Sequence, residues 1–226
     1  MTRRDFSIFS IATLATSVAG GFAINKFYDK KPHLRPPGSA KNFESLCIKC
    51  GQCVQVCPYH SIELLGVDDG VNIATAFIDP SKRGCYLCDL FPCVLACPSG
   101  ALDHNTTSIK DVKMGVGVVV NLPSCYANLQ KDVQKSDVEH LLERKTFNER
   151  EEKAKQIIAD NVGKNCSLCV DSCPVSGAIS LAQIDGKPAP KFSADCVGCG
   201  VCVEVCFAKV IEIAAGKSYD EIYKEN

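Results

Sequence analysis

The chain has no tryptophan, only two methionines and 7% aromatic residues, so little of a 226-residue core can be built from large rings. Its charge is nearly balanced, at a formal −1, and no basic excess offers a nucleic acid a footprint. Neither G-x-S-x-G, H-E-x-x-H nor a P-loop occurs, and "GVGVVV" at 115–120 lacks the third glycine of a dinucleotide fingerprint. The C-x3-C-x2-C order of radical SAM enzymes is missing too. His33, His60, His104 and His140 share no spacing that would make a site and are expected at the surface. These absences leave no constellation that handles a substrate.

What is present in quantity is cysteine, 16 of them. An even count behind an export-like leader ordinarily reads as a disulfide framework, but the spacing contradicts that. "CIKCGQCVQVCP" gives Cys47, Cys50, Cys53 and Cys57, and "CVGCGVCVEVC" repeats the run at Cys196, Cys199, Cys202 and Cys206, with Phe207 in place of proline. "CYLCDLFPCVLACP" gives Cys85, Cys88, Cys93 and Cys97 with one gap widened to four residues, and "CSLCVDSCP" gives Cys166, Cys169 and Cys173. Three cysteines in one short loop, then x3-C-P, is the bacterial pattern for [4Fe–4S] clusters, in which the loop wraps one cluster and the last thiolate reaches another. Zinc ribbons use two separated C-x2-C pairs and need no such run.

The third group is one ligand short, and its missing first cysteine would fall at Gly163. Cys125, in "NLPSCYAN", is the single cysteine left over; counting it as that ligand closes four groups of four. The alternatives are a buried thiol beside a three-iron centre, or a cube with a non-cysteine fourth ligand. With the usual crossing, the first three cysteines of each group join the fourth of its neighbour. Sequential pairing then gives Cys47, Cys50, Cys53 with Cys97; Cys85, Cys88, Cys93 with Cys57; Cys125, Cys166, Cys169 with Cys206; and Cys196, Cys199, Cys202 with Cys173. Pairing of outer groups together and inner groups together is the other arrangement.

Each group is followed by a turn, a small residue and an apolar pair, an internal repeat of about 40 residues. Two repeats make one α+β ferredoxin-like module holding two [4Fe–4S] clusters, and four repeats make two modules: 41–112, and 113–226. Brief strands are expected at Val71–Phe77 and Ile211–Ala214. Such modules bury little hydrocarbon, and the clusters stand in for a core. Residues 126–165 contain no cysteine and carry eight basic and eight acidic residues with helix formers from Gln130 to Ala159, so they read as a solvated helical insertion packed on one module, or as a docking surface.

The N-terminal "TRRDF" matches the twin-arginine export motif through Arg3, Arg4 and Phe6, and the apolar run Ser7–Ile24 is long enough to cross a bilayer. That pathway carries folded proteins, as clusters assembled in the cytoplasm require. Residues 1–28 therefore read as a signal or membrane anchor, cleaved or retained, and 29–40 as a tether, which places the chain in the periplasm.

Twin arginines, four cysteine groups and above all "CYLCDLFPCVLACPSGAL" resemble the MauM/NapG family of periplasmic ferredoxin-type proteins, and within it the nitrate-reductase branch. That family's third motif also sets its first cysteine apart, which supports Cys125; here the gap is 40 residues, where the family has a few. The resemblance implies an electron-transfer subunit, not an enzyme, that takes electrons from a membrane-bound polyferredoxin quinol dehydrogenase (NapH-like) and passes them to periplasmic nitrate reductase. The alternatives are an assembly chaperone delivering clusters or cofactor to the reductase, and a carrier for another periplasmic dehydrogenase.

Overall fold

The computed structural model describes residues 32–224; Arg3, Arg4, Phe6 and the Ser7–Ile24 run lie outside them. Three two-stranded antiparallel sheets are joined by short helical turns. In the first half, α1 (Phe43–Leu46) and α2 (Gln52–Val56) precede the hairpin β1 (Ile62–Leu64) and β2 (Ala76–Ile78), and α3 (Pro92–Leu95) follows it. In the second half, β3 (Gly115–Val119) pairs with β6 (Ile211–Ala215), around an inner hairpin of β4 (Ile179–Ile184) and β5 (Lys187–Phe192). The helices of this half are α4 (Lys135–Leu142), α5 (Glu149–Asn161), α6 (Leu168–Asp171), α7 (Val201–Glu204) and α8 (Tyr219–Tyr223).

Both halves follow one plan: an inner hairpin between two cysteine groups and an outer pair flanking them. In the first half the outer pair has shrunk to the single bridge Ser39–Leu102. Two-stranded sheets are marginal alone, and the buried clusters fill in the rest. One gathers Phe43, Ile78, Phe91 and Leu102 with Cys85, Cys93 and Cys97, and it continues across the seam to Cys199 and Val201 of the second half. A second gathers Ile179, Phe192 and Ile211 with Cys125 and Cys202.

The strand expected at Val71–Phe77 is shorter. The Val67–Asn72 stretch is 3₁₀, because Gly66, Gly70 and two aspartates favour turns, and β2 begins only at Ala76. The expected tether is docked from Leu34 onward. Leu34 is buried and bridges Ile78, while Arg35 donates to the Ala76 carbonyl at 2.8 Å and pairs with Glu44 at 2.9 Å. The glycines of "GVGVVV" are structural: a Cβ on Gly117 would lie 2.8 Å from Phe192 Cδ1, so the bare backbone admits that ring.

The insertion folds as an α4–α5 hairpin. Asn148 caps α5 by accepting from the Arg150 and Glu151 N–H groups, both at 3.0 Å. Its apolar positions are too few for a fully buried helix, as the sequence indicates, but Val133, Val138, Leu141 and Ile158 make one stripe that buries against Leu168 and Val205. The expectation that it packs on one module is corrected here. Its charged positions reach both: Glu151 meets Arg83 and His60 of the first half, and Arg144 pairs with Glu204 of the second. Among the described residues no helix is long and apolar enough to cross a membrane.

Candidate metal centres

Cys53 sits inside α2, and the chain leaves the helix at Cys57 with extended angles, φ −70° and ψ 112°. In a continuing helix these two thiols would share a face. The exit turns the fourth one away from the first three, which is how a single run serves two centres.

Four cysteine quartets result, numbered here in spatial order. Cys47, Cys50, Cys53 and Cys97 line one pocket, site 1. Cys57 is the electrostatic neighbour of Cys88 and Cys93; Cys85 neighbours Cys199 first and then the same two, and these four make up site 2 at the edge of site 3. Cys173, Cys196, Cys199 and Cys202 line a second pocket, site 3. Cys125, Cys166, Cys169 and Cys206 line a third, site 4. Among the described residues no three Cys, His, Asp or Glu side chains converge closely enough for a single metal ion. The thiols surround a space instead, the arrangement that suits a cube with irons at its corners rather than one tetrahedral zinc.

Cys125 reaches site 4 in spite of the 40-residue gap because the insertion is tied off at its base. Val133 bridges Val162, Asp132 bridges Asn165, and the Gly163 N–H donates to the Val133 carbonyl at 2.8 Å. The chain therefore returns to Cys166 beside its point of departure. Sequential pairing is the one the geometry brings together, with outer and inner groups left apart.

Backbone N–H groups of the following turns point at the fourth thiols: Ser61 at Cys57 and Leu102 at Cys97, each 3.4 Å, and Val210 at Cys206, 3.3 Å. The turn shared by the repeats thus has a chemical role, since such bonds stabilise negative sulfur and tune a cluster's potential. Burial pushes Cys53 and Cys166 up to about 11 and Cys93 and Cys199 up to about 12, with neighbouring thiols adding to it. Cys85, Cys169 and Cys202 are raised by burial as well. For Cys97 burial acts upward too, but the hydrogen bonds from Leu102, Ser99 and Ala101 outweigh it and the net shift is downward. Thiolates in so dry a setting need a cation, and an iron–sulfur core supplies it.

The sites neighbour one another in sequence, 1 to 2 to 3 to 4. Cys93 of site 2 neighbours Cys53 of site 1, and Cys202 of site 3 neighbours Cys169 of site 4. Between sites 2 and 3 the Cys85 N–H donates to the Cys199 carbonyl at 2.7 Å. Cys50 of site 1 is the one exposed thiol among the described residues.

His33, His60 and His104 have partners that the spacing did not reveal: the Asp69 carboxylate, the Glu151 carboxylate and the Cys97 carbonyl. A charge set at the seam, the buried carboxylates of Glu151 and Glu204 with the half-buried Arg83 and Arg144, has almost no signature in the sequence. The one signal for it is a glutamate inside the last cysteine run, where the first run has Gln55.

Models of the 4Fe-4S dicluster domain match residues 46–101 and 155–207, so the chain carries two such domains; the second match begins beyond Cys125. The chain is 34% identical to the methylamine utilization ferredoxin-type protein MauM of Paracoccus denitrificans, over 91% of this chain and 83% of that protein. It is 33% identical to the ferredoxin-type protein NapG of Escherichia coli K12, over 76% of this chain and 65% of that one. The MauM of Methylobacillus flagellatus is 34% identical, over 76% of this chain and 63% of its own length, so this chain spans under two thirds of the latter two. No solved structure matches. With two dicluster domains and relatives of this extent, the chain is a ferredoxin-type electron carrier and belongs to the MauM/NapG family.

Proposed function

We propose that the 16 cysteines hold four [4Fe–4S] clusters and that the chain carries electrons in the periplasm, from a membrane-bound polyferredoxin quinol dehydrogenase of the NapH kind to periplasmic nitrate reductase. The observation that carries the electron-transfer reading is that each quartet has a neighbour in the next, in the order site 1, site 2, site 3, site 4. A bound cube supplies a one-electron couple with little change of shape. The protein's part is to hold four such groups next to one another, to aim backbone N–H groups at their sulfurs, and to bury six of the thiols while Cys50 stays exposed.

A second reading keeps the same wire but gives it to methylamine oxidation. The Paracoccus MauM alignment favours it, because it covers more of both chains than the NapG alignment does.

The test is a deletion of this chain in its own organism. Under the first reading quinol-dependent nitrate reduction falls and growth on methylamine is untouched. The reverse result assigns the second, and no redox phenotype in either sinks both. The assembly-chaperone alternative is separated by adding the purified, cluster-loaded protein to reductase matured without it. Restored electron flow supports a carrier; a reductase still lacking its own cofactor points to a chaperone.

A further inference from the structure

Within the contact between the two modules, one polar pair stands out, Gly84 and Glu204. Glu204 occupies the position in the last cysteine run that Gln55 occupies in the first. Gln55 faces solvent, whereas the Glu204 side chain is only 1% exposed and points into the seam. Its Oε2 accepts from the Gly84 N–H at 2.7 Å, and its Oε1 takes the Arg144 guanidinium from the insertion. Arg144 also donates to the Lys82 carbonyl at 2.7 Å, so one side chain of the insertion grips both halves. Gly84 is held at its other end as well, where its carbonyl accepts from the Ser61 hydroxyl at 2.6 Å. The next residue is Cys85, whose N–H bonds the Cys199 carbonyl.

A second carboxylate, Glu151, has a fully buried side chain and is shared by Arg83 at 3.5 Å and His60 at 3.2 Å. Buried ion pairs of this kind add little net stability, because desolvation offsets their attraction; their best-attested use is to fix a register. What this set can fix is how close site 2 lies to site 3. Two domains joined through a modest interface ordinarily move against each other, and electron tunnelling falls exponentially with the gap.

We propose that Glu204, clamped by Arg144 of the α4–α5 insertion, is the positioning residue of the inter-module electron step, holding Gly84–Cys85 against Cys199–Val201. This rests on the four-cluster reading. The electron that leaves one site arrives at the other, and no atom or proton is transferred.

Gly84 supplies a test that touches no charge and no cysteine. An alanine Cβ there would lie 2.6 Å from Val201 Cα and 2.7 Å from the Gly200 carbonyl carbon, so Gly84→Ala must push the seam apart. Arg144→Met removes the clamp from the other side, and Arg144→Lys keeps the charge. Each protein is purified anaerobically with its clusters, assayed for iron and sulfide, fully reduced, and examined by EPR at low temperature. In the wild type the reduced centres should couple magnetically as one row of four. In Gly84→Ala and Arg144→Met the iron content should stay at the wild-type level while the spectrum becomes that of two separate pairs, and Arg144→Lys should restore most of the lost splitting.

Full iron with the four-centre coupling unchanged in both Gly84→Ala and Arg144→Met would overturn the proposal. So would loss of iron in Arg144→Met, which would make the clamp a matter of folding alone. A wild-type protein with far fewer irons is a different failure, that of the four-cluster reading itself.

Discussion

Cys125 separates a count of cysteines from a site. It lies outside the matched dicluster segment, yet it is buried and lines the same cavity as Cys166, Cys169 and Cys206. Serine is a harder and weaker ligand for iron, so Cys125→Ser is expected to turn site 4 into a three-iron centre or empty it. Site 4 is at the end of the row, and the other three should be untouched. Iron should therefore fall by about one to four of about 16 per chain, with a three-iron EPR signal in the milder case. Unchanged iron and an unchanged four-iron spectrum would return Cys125 to the rank of an ordinary buried thiol. Glu204 is the contrasting residue. Its repeat position was visible in the sequence but its environment was not, because the two halves of a pseudo-symmetric chain meet along a seam that no local pattern encodes.

At the scale of elements, legibility followed the range of the forces. The cysteine runs, the turns after them and the strand Ile211–Ala215 are local, fixed by backbone preference and ligand spacing, and they were readable. The Asp185–Gly186 pair that sets the β4–β5 register is likewise a local hairpin signal. The insertion was readable as helix but not as a bridge, since its polar majority hides which charges are solvated and which, like Glu151, are buried. Its attachment rests on the stripe of Val138, Leu141 and Ile158, and helices of 8 and 13 residues are marginal without such packing. Leu141→Ala should cost about 2–4 kcal/mol of local stability, whereas Leu142→Ala, half-buried at the edge, should cost less. Hydrogen exchange read by mass spectrometry should rise across Lys135–Asn161 in the first variant and little in the second. Because the base of the insertion is pinned at Val133 and Gly163, the iron–sulfur absorbance should hold in both. Equal protection in both variants would mean that the stripe does not hold the hairpin down.

On the scale of the whole molecule, the proposed export would place demands opposite to those of cluster assembly, and a twin-arginine signal at Arg3 and Arg4 would reconcile them. Arg3→Lys with Arg4→Lys keeps the charge but loses the planar fork, and the cluster-loaded protein is expected to stay in the cytoplasm with quinol-to-acceptor electron flow abolished in cells; normal export would mean that the motif is misread. The demand for prior folding comes from the cores themselves. Outside the insertion, the buried clusters include the very cysteines that line the sites, Cys85, Cys93, Cys97 and Cys199 in one and Cys125 and Cys202 in the other. Around them stand only two-stranded sheets and helical turns of four or five residues. Hydrocarbon burial on that scale does not offset the conformational entropy of so many loops, so the bound iron must supply the difference. Anaerobic oxidation with ferricyanide and EDTA, followed by removal of both and reduction of any disulfides, should strip about 16 iron per chain and abolish most far-UV circular dichroism. The insertion should melt with the modules, because its stripe docks on Leu168 and Val205, which the cysteine loops hold. Iron and sulfide added back should restore both the visible absorbance and the dichroism. A stripped chain that kept a native-like spectrum would show that the hydrocarbon cores suffice, and the link between cluster assembly and folded export would lose its physical basis.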